Sequence, residues 1–134
     1  MKKSDRDKLH SILQLENYRM LDFWELSPYR IEDFIGKSDQ HKSIYLATGM
    51  TWMYMSGVKK RHVANFFEKH HATVHYNIRK TLGVLTATPG TQREHREFLN
   101  ALIKKAKENI HITPDTYINQ AISLTILENS IHGL

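Results

Sequence analysis

Residues 58 to 82 gather basic, histidine and hydroxyl side chains of the kinds that suit a polyanion. They read VKKRHVANFFEKHHATVHYNIRKTL. Lys59, Lys60, Arg61, Lys69, Arg79 and Lys80 stand against a single acid, Glu68, for a local net charge of +5. The whole chain is also +5, so the remaining thirteen basic and thirteen acidic residues balance. An excess of one sign confined to a short segment is what a surface facing phosphates needs. Four of the nine histidines, His62, His70, His71 and His75, lie in the same stretch. Imidazole donates hydrogen bonds to base edges and gains charge near neutral pH. The same composition also serves an ordinary solvated face, so spacing has to decide.

The elements that would position these groups are two short helices. Val58, Val63, Phe66 and Phe67 make one apolar pattern. Val74, Ile78, Leu82 and Leu85 make the other, at steps of 4, 4 and 3, which is one face of a helix. About two residues, Lys69 and His70, remain to join them, so the pair is a helix-turn-helix candidate. Ala64 stands ten residues before Val74. A small residue there lets the first helix approach the second. The second helix would then carry His71, Thr73, His75, Tyr76, Asn77, Arg79 and Lys80 outward or at its margins. These types suit base edges and phosphates in a major groove.

His71, Thr73-Val74 and Arg79-Lys80 together form a pattern that resembles the signature of the C-terminal DNA-binding domain of the bacterial replication initiator DnaA. That signature runs Asp-His-Thr-Thr-Val, then Arg-Lys after a few residues. Tyr45-Leu46-Ala47 is similar to the start of the long helix that precedes the family's helix-turn-helix. The resemblance covers about residues 30–85 and implies an all-α, Trp-repressor-like fold that binds duplex DNA. It departs from the signature at His70, where the family has Asp, and at Ala72, where it has Thr. The basic loop of the family is reduced to Gly36-Lys37-Ser38-Asp39-Gln40, and the Tyr45 to Val63 segment is longer. The family's DNA preference therefore does not transfer.

The chain in order reads as helices. Ser4, with Asp5 and Asp7, is an N-cap and acidic first turn for a helix that runs on past Met20. Ser27-Pro28 predicts a restart, and Gly36 a stop. Residues 41–56 are apolar nearly all round, from Ile44 and Leu46 through Met50 to Met55, which predicts a central buried helix ended at Gly57. Thr91-Gln92-Arg93-Glu94 has the form of a capping box. Phe98, Leu99, Leu102, Ile103, Ala106 and Ile110 follow as an apolar stripe, with Lys104, Lys105 and Lys107 read as solvated or structural. Thr113-Pro114-Asp115 predicts a last helix carrying Ile118, Ala121, Ile122, Ile126 and Leu127.

At 134 residues, the expectation is one all-α domain over 1–134. Its helix-turn-helix core spans about 40–85 and a C-terminal helical extension about 91–132. No cysteine is present, so neither a disulfide nor a thiolate metal site can form. His71 and His75 have the i, i+4 spacing of a zinc pair but lack the accompanying Glu and an evident third ligand. No Gly-rich phosphate loop and no nucleophile–base pattern favours an enzyme, and no cofactor is expected. Met1 to Asp7 lack the apolar run of a signal peptide and no long apolar stretch follows, so a cytoplasmic protein without a membrane span is expected. The leading expectation is a double-stranded-DNA-binding regulator of transcription or replication. Its contacts would be Lys59, Lys60, Arg61, Lys69, His70, His71, Thr73, His75, Asn77, Arg79 and Lys80. The competing expectations are a helical interaction or dimerisation module using the C-terminal helices, and RNA binding by the basic surface.

Overall fold

Nine consecutive residues of one helix, Ala47 to Met55, are buried, and the other elements are arranged round them. The helix is α4 (Ser43–Met55), seen in a computed structural model that describes residues 4–36, 40–88 and 90–108. Such a helix hides its own polar groups. Thr48 and Thr51 donate their hydroxyls to the carbonyls one turn back, Ile44 O and Ala47 O, each at 2.8 Å. Met50 and Trp52 are fully enclosed, as the all-round apolar pattern predicts. Ile44 and Leu46, expected to be equally deep, lie in the first turn and are only half-buried. Gly57 ends the helix in the left-handed region, φ +110°, which a Cβ disfavours.

Round α4 pack α1 (Asp5–Leu13), α2 (Met20–Leu26), α5 (Lys60–Phe67), α6 (His71–Thr86) and α7 (Arg93–Glu108), with the single-turn α3 (Ile31–Phe34) between. The described residues contain helices and no strand, so the all-α class holds for them. Ser4 caps α1 as expected, accepting from Asp7 N at 3.1 Å. The helix does not continue past Met20. Gln14 turns left-handed, φ 51°, and closes the end by donating its N–H to His10 O. Leu15 and Tyr18 then turn into the core, Tyr18 edge-on to Trp52 at 5.2 Å.

Two predicted helix starts are displaced. Ser27-Pro28 closes a loop instead: Ser27 Oγ accepts from Tyr29 N and donates to Tyr29 O. The helix begins three residues later, where Asp33 accepts from Arg30 N at 2.8 Å. The capping box at Thr91 is also not formed. Thr91 Oγ1 donates to Thr88 O, and Glu94 accepts from the Tyr45 hydroxyl on α4. Arg96 instead reaches back to the end of α6, donating to Val84 O at 2.7 Å and Ala87 O at 3.0 Å. A cation there complements the partial negative charge of a helix C-terminus. Lys105, at 2.6 Å from Glu25, ties α7 to α2, in line with a structural reading. The stripe on α7 buries Leu99 and Leu102, while Ile110 and the expected last helix lie outside the described residues.

Candidate nucleic-acid interface

Glu68, Lys69 and His70 alone join α5 to α6. The turn is made by Glu68 in the left-handed region, φ 52°, with Lys69 N donating back to Ala64 O at 2.9 Å. Ala64, Phe67, Val74 and Ile78 close the joint beneath it, all buried. Ala64 has no side chain beyond Cβ to hold the helices apart. Two helices joined by a three-residue turn are therefore present, the turn one residue longer than the spacing suggests.

His70 is the N-cap of α6: its Nδ1 accepts from Ala72 N at 3.1 Å, and its ring lies 4.2 Å from that of His71. The outward face of α6 is set by what α4 and α1 take from it. Val74, Asn77, Ile78, Thr81 and Val84 turn inward. Ala72, Tyr76, Arg79 and Gly83, spaced by three, four and seven, form the opposite, exposed face, with His75 at one edge and the half-buried Thr73 and Lys80 at the other. Asn77 is thus displaced from its expected place: it is 4% exposed, and its amide donates to Met50 Sδ at 3.2 Å. The buried stripe is rotated from the half-buried Leu82 and Leu85 towards Thr81 and Val84, the flank on which Asn77 meets Met50 of α4.

The basic residues stay at the surface but few are idle. Lys59 and Arg61 are exposed at the start of α5. Lys60 donates to His75 Nδ1 at 3.1 Å and lies 5.5 Å from the centre of the Tyr54 ring. Lys69 donates to Gly36 O at 2.8 Å, and Arg79 meets Asp5 of α1 at 3.4 Å. Lys80 reaches Ser43 Oγ at 3.4 Å, at the start of α4. The N-termini of α5 and α4 are thereby brought to the two flanks of the outward face of α6, beside His75 and Lys80. Neither has an acid in its first turn, and neither does α6, whereas α1, α2, α3 and α7 all do. Each such N-terminus carries about half a positive charge of its own.

The start of α4 at Ser43 and the exposed Tyr76 are parts of this surface absent from the contacts expected of the sequence, while Lys42, the N-cap residue of α4, holds its ammonium 5.6 Å from the centre of the Tyr29 ring. The missing acid in the first turn of α4 was the available signal. Histidines do not all belong here: His95 of α7 is buried, with Nε2 at 3.0 Å from Thr48 Oγ1. Thr48 spends its proton on Ile44 O, so Nε2 carries a hydrogen. Burial, and then the charge of Lys80, lower its pKa from 6.5 to about 4. Among the described residues no cluster of three or more metal-ligating side chains forms, and no helix is long and apolar enough to cross a membrane. No protein-family model, curated protein or solved structure matches the chain.

Proposed function

We propose that this chain is a small double-stranded-DNA-binding protein, a regulator of transcription or replication, that lays α6 in a major groove as the second helix of a helix-turn-helix. One observation carries the reading: the outward face of α6 is flanked by the acid-free N-termini of α4 and α5, each bearing cations. Gathering Lys42, Lys59, Lys60, Arg61 and Lys80 near positive helix ends is unfavourable in the free protein. A phosphate backbone relieves that repulsion on both sides of a groove-bound helix. A major groove about 12 Å wide admits one helix. The signature like that of the DnaA domain falls on the same helix, with the imidazole of His70 serving as the cap where the signature has Asp. Ala72 lacks the hydroxyl of the signature, so the preferred site differs from the family's.

A second reading has its own observation. Phe66 and Ile35 are exposed, and Phe66 lies 6.5 Å from the Trp24 ring, an apolar patch beside the turn. It favours a helical interaction or dimerisation module.

Selection from a random duplex pool separates the two. Enrichment of a motif, with a log–log salt slope between about −4 and −5 for about five neutralised phosphates, supports DNA recognition. Replacing Lys59, Lys60 and Arg61 together by Ala should then flatten the slope by up to about 2.7 and weaken every duplex alike. Absence of binding at low salt removes the DNA reading and leaves the interaction module.

A further inference from the structure

The outward face of α6 carries one projecting aromatic ring. Tyr76 is 66% exposed, the most exposed large apolar side chain among the described residues. One turn before it stands Ala72, a methyl group, and two turns after it Gly83, where a Cβ would meet nothing within 4 Å. The nearer neighbours on the face are Thr73, Arg79 and Lys80, short or flexible and polar. An exposed aromatic ring forgoes the stabilisation of burial, and among the described residues no ring contact or hydrogen bond holds Tyr76 there. An aromatic ring projecting between two cation-bearing flanks has the shape of a wedge. Those flanks meet phosphates, so the wedge meets the floor of the groove. On that floor the apolar feature is the C5-methyl group of thymine, while the acceptors beside it suit a phenol O–H.

We propose, on the basis of the DNA reading above, that Tyr76 is a specificity-determining contact whose ring packs on a thymine methyl group in the bound duplex. The chemistry divides the labour on α6. Ala72 and Gly83 let the helix approach the bases without steric resistance, Lys80 is reserved for backbone, and Arg79 is held by Asp5 of α1. Tyr76 has two rotatable bonds to order, fewer than the four of Lys80, so less entropy opposes its contact.

The test uses the full chain and a duplex enriched from a random pool, with each thymine in turn replaced by deoxyuridine, which removes only the methyl group. Tyr76→Ala should weaken the enriched duplex about tenfold and a scrambled duplex by about twofold or less. Deoxyuridine at one position should weaken the wild-type complex several-fold, on the order of a lost apolar contact, and leave the Tyr76→Ala complex unchanged. Tyr76→Phe should keep the sensitivity to the methyl group. Because the side chain is mostly in solvent, circular dichroism of the variants should match the wild type. Deoxyuridine sensitivity that persists in Tyr76→Ala, or equal losses on both duplexes, overturns the inference while leaving DNA binding intact. A pool that yields no enriched duplex overturns the DNA reading and this inference together.

Discussion

Arg79 on α6 meets the carboxylate of Asp5 on α1 at 3.4 Å, and the two partners differ in exposure: the arginine side chain is 60% exposed, the aspartate side chain 7%. The contact fastens α1 to the basic helix and also holds an anion against one of its cations. Asp5→Asn should release Arg79 to a phosphate. Duplex affinity should rise on all sequences, and the salt slope should steepen by about 0.9. Fluorescence anisotropy across a salt series checks this; an unchanged slope would mean that Arg79 stays away from the DNA. Arg79→Ala should instead lower the melting temperature, since it strands a carboxylate with little access to water.

The residues that read sequence should separate from those that hold the helix. His71→Ala and Thr73→Ala should each cost about 1–3 kcal/mol on the best site and little on random DNA. Lys80→Ala should weaken both about equally. Asn77→Ala should leave discrimination intact and lower stability, because the amide lies inside against Met50. Titrating each variant on the selected and a scrambled duplex decides the assignment. Equal losses on both duplexes for His71 and Thr73 would remove α6 as the reader.

Stability should fall in acid through His95. The ring is neutral in the fold, with its pKa held at about 4, while an unfolded chain binds the proton near 6.5. As pH drops through 6.5 the unfolded state gains protons that the folded state does not. The full contribution is therefore present above 6.5 and is lost progressively down to about 4. The loss is on the order of 3 kcal/mol at most. Urea midpoints of the wild type and of His95→Gln at pH 7 and 4.5 measure it. The variant should show the smaller drop, and parallel losses would place the acid sensitivity elsewhere.

Gly49 and Gly83 should respond in opposite directions to alanine. A Cβ on Gly49 would lie 2.7 Å from Cζ of Phe23, a ring fully buried between α2 and α4. Overpacking of about 1–3 kcal/mol should exceed the helix propensity gain of about 1 kcal/mol, so Gly49→Ala should melt earlier. Gly83→Ala meets open space on a helix and should melt later. Thermal unfolding of the two variants provides the check.

What the sequence determined by itself was local. The Ser4 cap, the left-handed Gly57, the buried run of α4 and the break between α5 and α6 depend on neighbours within a turn or two. Hydrophobic period, capping side chains and glycine sterics therefore disclosed them, and with them the all-helical class. The concentration of charge in residues 58–82 was equally plain, because it is a property of composition. Orientation came from packing between distant segments. The apolar steps of α6 pointed to Leu82 and Leu85, but packing against α4 rotated the helix towards Thr81 and Val84 and took Asn77 inside. Thr91 and Glu94 had the spacing of a cap, yet the carbonyl of Thr88 and the hydroxyl of Tyr45 were nearer partners. The start of α4 became a flank of α6 through Lys80 and Ser43, thirty-seven residues apart in the chain. A helix of a given sequence can bury more than one of its faces. Which one it buries depends on the partner surface, and that surface is made by residues far away in the chain.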